Sequence, residues 1–259
     1  MLHNEHSDVK VSIVTVVYNA VGKIEPTVQS VLGQKYSNIE YIVIDGESTD
    51  GTLEVINRYR NRIDVVISEK DNGIYDALNK GVLKATGDWI GIMNAGDVFV
   101  DENVLSKVFR NDRNLEGVDV IYGDAVSVDG SVAVLCKASE NIDDLKKGPC
   151  YRHGASFVKS AVHKKYLFDV AKKSILEFAL DYEQIYRMYC NGCSFRKISL
   201  PIINYELRGA STVSPFKITY YNYLITHEMK SGWLTRVFLV WITFVRGVKI
   251  FISRYFFND

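Results

Sequence analysis

The sequence predicts an α/β fold with a mostly parallel central sheet flanked by helices, followed by a separate amphipathic helical segment at the C-terminus. Two observations carry this expectation. Short β-branched runs alternate with stretches of helical spacing through the N-terminal part of the chain. The composition, 47% hydrophobic and 24% charged, is that of a packed globular protein.

The elements follow in order. Val11 to Asn19 is a β-branched run that ends at a polar break and reads as a buried strand. Gly22 to Gln34 places Ile24, Val28, Val31 and Leu32 at helical spacing, with Pro26 near the helix start. Ile39 to Gly46 is a second strand and Thr52 to Arg60 a second helix. Asp64 to Glu69, Gly73 to Thr86 and Asp88 to Asn94 continue the alternation as strand, helix and strand. Strands separated by helices in this rhythm favour parallel pairing with both faces covered. Beyond Asn94 the rhythm loosens. Glu102 to Phe109 reads as a short helix, and Asp119 to Lys137 alternates around Asp129-Gly130, a hairpin signal. Gly154 to Lys159 reads as a strand, and Leu180 to Gly192 as a helix with Gly192 at its stop. Trp233 to Phe257 carries aromatic and aliphatic residues over most of a helical wheel, with Arg236, Arg246 and Arg254 on a narrow face. That pattern suits a helix lying in a membrane interface better than one spanning it; packing on the domain or on a second copy is the other reading.

Charge and cysteine content narrow the classes. Lys and Arg number 31 and Asp and Glu 31, so nothing global suggests a nucleic-acid partner. The 4 cysteines are too few for a secreted disulfide scaffold and are expected reduced. The polar start, without a basic flank or a long apolar run, is expected to hold no signal peptide. A cytoplasmic protein, peripheral on the inner face of the cell membrane, is the resulting expectation.

Neither GxGxxG nor a Walker lysine motif is present, which weakens a dinucleotide or P-loop reading. Instead acids recur where strands end: Asp45 after the second, Asp71 after the third, Asp97 after the fourth. In open α/β sheets ligands bind beyond these ends.

The order SIVTVVYNA, YIVIDGESTDGT, EKDNGIYDALNKGVLKATGDWIGIMNAGD resembles family 2 glycosyltransferases with the GT-A fold, and within them the set that builds O-antigen and capsule polysaccharides. The resemblance covers roughly Val11 to Asn204. It implies that Thr15, Val17, Tyr18 and Asn19 line a nucleobase pocket, that Asp45 accepts a hydrogen bond from the base, and that Ser48 lies on the same donor-binding turn. Asp50 and Gly51 would shape that turn, although Asp50 reads rather more readily as a cap of the helix that begins near Thr52. Asp71, Gly73, Asn79 and Lys80 match a segment bordering the donor, with Lys80 directed to a phosphate or to solvent. Asn94, Ala95, Gly96 and Asp97 stand where the family carries its acidic metal motif; here Asn94 takes the first acidic place, leaving Asp97 as the single carboxylate for Mg²⁺ or Mn²⁺. Asp181 falls at the position of the catalytic base. Arg152 and His153, in RHGASF, fall beside the acceptor or a phosphate.

The resemblance therefore implies an inverting transferase that moves a sugar from a nucleotide-sugar donor, UDP-linked by preference, to a lipid-linked oligosaccharide. The rival reading is a catalytically silent nucleotide-sugar-binding subunit of a transferase complex. Residues 1–210 are expected to form the transferase domain, donor half about 9–100 and acceptor half about 101–210, with 211–259 as the membrane-associating or packing segment. Oligomeric assembly is left open.

Overall fold

The computed structural model describes residues 9–109, 114–206, 215–227 and Trp241. Its sheet is organised around β1 (Val11–Val17), which lies parallel between β2 (Ile39–Asp45) and β4 (Trp89–Ile92); β3 (Val65–Ser68) pairs parallel with β2. The intervening helices are α1 (Val21–Leu32), α2 (Thr52–Asn57) and α3 (Ile74–Lys84).

Every residue of β1 is buried because both sheet faces are covered. Val11, Ile13 and Val17 pack in one core layer with Ile24, Val28 and Val31 of α1 and Val55 and Ile56 of α2. Val14 and Val16 face the opposite layer, with Tyr75, Leu78 and Val82 of α3. Each such aliphatic side chain stabilises the fold by about 1.5–3 kcal/mol through burial.

The second half extends the same sheet. After β5 (Val98–Phe99) and α4 (Val104–Val108) come the hairpin strands β6 (Val120–Asp129) and β7 (Val132–Cys136). They are followed by β8 (Ser156–Lys159), α5 (Ser160–Lys165), α6 (Lys173–Leu176), α7 (Leu180–Cys190), β9 (Phe195–Glu206) and α8 (Pro215–Thr226). The strand order is β3-β2-β1-β4-β8-β6-β9-β5, with β7 on β6. Parallel pairing runs from β3 to β4 as expected, but the sheet as a whole is mixed. β8 meets β4 and β6 antiparallel, β5 meets β9 antiparallel, and β6 and β9 are parallel. β9 was not anticipated from the sequence: its charged residues and Pro201 blur the alternation. α2 stops at Asn57, and the expected remainder of that helix is a 3-10 turn, Arg60–Arg62.

Two features of this arrangement position a site. The chain leaves β1 towards β2 and β3 on one side and returns to β4 on the other, so the carboxyl ends of β1, β2 and β4 flank a topological switch point. Leu180, Tyr182 and Ile185 of α7 pack in the same core layer as α3, which brings the start of α7 to that edge. The expected C-terminal helix from Trp233 lies outside the described residues except for exposed Trp241. No described helix is long and apolar enough to cross a membrane.

Candidate active site

The first corner of the crevice is made by the ends of β1 and β2. Asp45 is fully buried, opposite Val17 in the ladder. Its Oδ2 accepts hydrogen bonds from the Ser48 N–H (3.2 Å) and the Ser68 hydroxyl (2.6 Å). Its Oδ1 has no hydrogen-bond donor among the described residues. A buried carboxylate oxygen left open is costly and calls for an explanation, and a ligand N–H is one. Asn19, at φ +47°, donates its N–H to Ser48 Oγ (2.9 Å) and accepts from the Thr49 N–H (2.9 Å), so it braces the turn that carries Ser48. Tyr18 is 65% exposed. It lies against Gly46, where an added Cβ would stand 3.3 Å from Tyr18 Cδ2 and 3.2 Å from Asp71 Oδ2. An exposed ring, an open buried acceptor and a bare backbone thus share one corner, which suits a flat heteroaromatic base.

Thr15 is fully buried and accepts from the Tyr41 hydroxyl (3.1 Å); Val17 is packed in the core layer of α1. By strand parity both lie on the face of the sheet that carries Asp45, the ladder neighbour of Val17. Asp50 serves as a cap: it accepts from the Val21 N–H (3.0 Å) and the Thr52 N–H (3.0 Å) at the starts of α1 and α2.

The Asp71 loop forms the next wall. Lys80 Nζ lies 2.6 Å from Asp71 Oδ1, 2.8 Å from Glu69 Oε1 and 3.7 Å from Asp76 Oδ2. The hydrogen bond to Asp71, then that to Glu69, holds its ammonium above the ordinary lysine range. The expected phosphate contact of Lys80 is therefore not what the arrangement offers; the side chain anchors the loop. Asn79 is also committed, its amide bonding both backbone groups of Phe168 (2.9 Å each). Gly73 sits at φ +102° at the start of α3.

The end of β4 supplies the third wall. Gly96, at φ +101°, allows the turn after Ala95, and its N–H donates to Thr27 Oγ1 (2.9 Å). Thr27 in turn donates to the Asp97 carbonyl (2.8 Å), a buried brace from α1 that sequence reasoning missed. Burial pushes the Asp97 carboxyl up to about 6, against the opposing pull of the Arg152 charge and a hydrogen bond from the Asn94 side chain. Asn94 Oδ1 is buried without a hydrogen-bond donor among the described residues. A carboxylate and an open amide oxygen three residues apart are both oxygen donors, the set that a hard divalent cation takes alongside phosphate oxygens. No group of three or more His, Cys, Asp or Glu side chains fit for a metal exists among the described residues.

The fourth group of residues comes from the start of α7 and the segment before β8. Asp181 stands in the first turn of α7, its Oδ1 accepting from the Tyr182 N–H (2.7 Å). Burial raises its carboxyl above the ordinary aspartate range, and the backbone bond and the Arg152 charge offset this in part. Arg152 is exposed and its guanidinium carbon lies 4.0 Å from the centre of the Tyr205 ring. Its charge acts on Asp97, on Asp181 and on His153, which come from three separate segments. His153 meets Phe168 edge-on at 5.6 Å, and burial, then Arg152, lowers its imidazole to about 4. Tyr75 donates its hydroxyl to the Phe178 carbonyl (2.6 Å) and lies within the field of Asp181. Glu183 and Arg187 pair on α7 (3.2 Å), as their spacing suggests.

A mixed sheet with a parallel N-terminal half, acids at consecutive strand ends and a further acid at the mouth of α7 is the architecture of a GT-A glycosyltransferase. Residues 12–163 match Glycosyl transferase family 2, and the chain belongs to that family. Among curated relatives, a PGL/p-HBAD biosynthesis glycosyltransferase of Mycobacterium bovis is 30% identical over 118 residues, which are 44% of this chain and 46% of the relative. Glycosyltransferase GlyG of Streptococcus pneumoniae serotype 4 is 31% identical over 124 residues, 47% of this chain and 40% of the relative. The chain thus spans less than half the length of these relatives. Among solved structures, S. aureus TarS 1–349 in complex with UDP superposes with a TM-score of 0.63 at 18% identity, covering 84% of this chain and 64% of that one. The mannosyltransferase PcManGT of Pyrobaculum calidifontis, in complex with GDP-Man and Mn²⁺, superposes with a TM-score of 0.62 at 17% identity, covering 88% and 66%.

Proposed function

We propose that this glycosyltransferase is an inverting enzyme that transfers a sugar from a UDP-linked donor to a lipid-linked oligosaccharide during assembly of a surface polysaccharide such as O-antigen, capsule or exopolysaccharide. The observation that supports it most is that Asp45 Oδ1 and Asn94 Oδ1, at and just past the ends of β2 and β4, are both buried without a hydrogen-bond donor among the described residues, while the Arg152 charge acts on both Asp97 and Asp181. In this reading Asp45 Oδ1 accepts a base N–H, Tyr18 stacks on the base, and Asn19, Ser48 and Asp71 shape the nucleoside corner. Asp181 takes the proton of the acceptor hydroxyl as that oxygen attacks the anomeric carbon on the face opposite the leaving diphosphate. Arg152 and His153 border the acceptor or a phosphate; the neutral imidazole adds no charge there.

Asp97, with Asn94 Oδ1, would hold a Mg²⁺ or Mn²⁺ ion. Such an ion neutralises charge on a nucleoside diphosphate leaving group. Attachment to the inner face of the membrane is assigned to the segment from Trp233.

The relative named for PGL/p-HBAD biosynthesis is a glycosyltransferase of a biosynthetic pathway, which agrees with this reading in kind. The test is incubation of the purified protein with labelled UDP-sugars, Mn²⁺ and a membrane lipid extract. Label transferred to lipid is expected; neither transfer nor donor hydrolysis with any common nucleotide sugar would refute the reading.

A further inference from the structure

We propose that Lys173, from the α6 segment that precedes the base helix, binds the diphosphate of the nucleotide-sugar donor. The proposal rests on the reading of the crevice as a nucleotide-sugar site, and it adds a cation that the strand-end motifs do not contain.

The first observation is where the ammonium lies. Lys173 Nζ donates to the carbonyl of Asn72 (2.7 Å). It also sits directly on Gly73: a Cβ there would come within 2.3 Å of Nζ and 3.3 Å of Cε. Gly73 has φ +102° and ψ 177°, a region that only glycine adopts readily. Both the backbone conformation and the space at this position are therefore reserved, and the group that takes the space is a cation.

The second observation is where this loop runs. At one end, Asp71 Oδ2 borders Gly46 and Tyr18, the nucleoside corner. At the other end, Tyr75 lies in the field of Asp181 and bonds the Phe178 carbonyl just upstream of it. Lys173 rests between them. A donor that reaches from the nucleoside corner to the base must pass its diphosphate along this stretch.

The third observation is charge accounting. The acids of the loop, Glu69, Asp71 and Asp76, all face Lys80. Neighbouring Lys172 is engaged by Glu183 (2.6 Å) and Asp169 (3.3 Å). Among the described residues no carboxylate pairs with Lys173, and its one acceptor is a neutral carbonyl. An ammonium has three N–H donors, so two remain for phosphate oxygens. A charge-assisted bond of this kind typically changes affinity by roughly ten-fold or more.

The test is calorimetric titration of uridine, UMP and UDP into wild type, Lys173→Met and Lys173→Arg. Methionine keeps the apolar stem and removes the charge. The expected result for Lys173→Met is a roughly ten-fold loss for UDP, little change for uridine, and a shallower dependence of UDP affinity on salt. Lys173→Arg should restore most of the UDP affinity. Equal losses for all three ligands would make Lys173 a brace of the Asn72 carbonyl and overturn the proposal. Unchanged UDP affinity in Lys173→Met, with wild type binding UDP, would overturn it while leaving the functional reading intact. Wild type that binds none of the three would sink both.

Discussion

Asn79 closes both backbone groups of Phe168: its Nδ2 donates to the Phe168 carbonyl at 2.9 Å and its Oδ1 accepts from the Phe168 N–H at 2.9 Å. This clasp joins α3 to the segment that leads into α6 and α7. Phe168 in turn packs on Tyr75 (5.3 Å) and His153 (5.6 Å). Asn79→Ala removes two half-buried hydrogen bonds and leaves the Phe168 groups unsatisfied, at a cost of about 2–3 kcal/mol. Urea denaturation should report that loss, while UDP affinity at temperatures where the fold holds should change less than a few-fold. A collapse of UDP binding without loss of stability would instead make Asn79 a ligand contact.

Asp181→Asn retains shape and removes the proton acceptor. Transfer should fall by about 10²–10⁴-fold, the usual contribution of a positioned general base. UDP affinity, measured by calorimetry, should stay near wild type, since a base for the acceptor hydroxyl need not touch the nucleotide. Loss of UDP binding together with transfer would move Asp181 out of the base role.

The parts of this site legible in the sequence are those where one local pattern suffices. Strands β1, β2 and β4 read as apolar runs because both faces of the sheet are covered there, and Asp45, Asp71 and Asp97 fall at or after strand ends by position alone. What a polar side chain does at such an end is not local. Thr15 and Val17 are buried on the face of β1 that Asp45 shares, whereas Tyr18, past the end of β1, is exposed. Lys80 is spent on Asp71 and Glu69, and Asn79 on Phe168, partners fixed only by tertiary packing. Ser68 was within reach of inference, since it ends β3 level with Asp45. Tyr205 was not, because the strand that carries it, interrupted by Pro201, lacks a clean period.

Removal of divalent metal should weaken UDP binding rather than abolish it. Asp97 is the one carboxylate at the end of β4, and Arg152 supplies a fixed charge beside it. Treatment with EDTA, followed by UDP titration with and without Mn²⁺, is expected to show at least ten-fold tighter binding with the ion. Asp97→Asn should erase that difference.

The pH dependence of transfer should follow Asp181. Burial holds its carboxyl above the ordinary aspartate range, so the base becomes protonated, and kcat/KM falls, at higher pH than for a solvated aspartate. Arg152 lowers this carboxyl, so Arg152→Ala should move the acid limb of the profile further up. A limb that stays in place would mean that the guanidinium does not face the base during turnover.

Stability should fall in mild acid because of His163. This residue is buried on α5 beside Phe168, and neither ring nitrogen has a hydrogen-bond partner among the described residues. Burial first, and then nearby His153, lowers its imidazole to about 3. Above the unfolded value of about 6.5, both states are neutral and the residue contributes no pH dependence. Below it the unfolded chain takes up a proton that the folded chain refuses, so stability drops by about 1.4 kcal/mol per pH unit. The loss continues until pH approaches the folded value of about 3. His153, lowered to about 4, adds a second loss of the same sign over a shorter range. His163→Leu removes one of these titrations at nearly constant volume. Urea unfolding between pH 7.5 and 5 should therefore show a shallower decline in the variant than in wild type. Parallel declines would show that His163 takes up its proton in the folded state, through an opening of α5 that admits water to the ring.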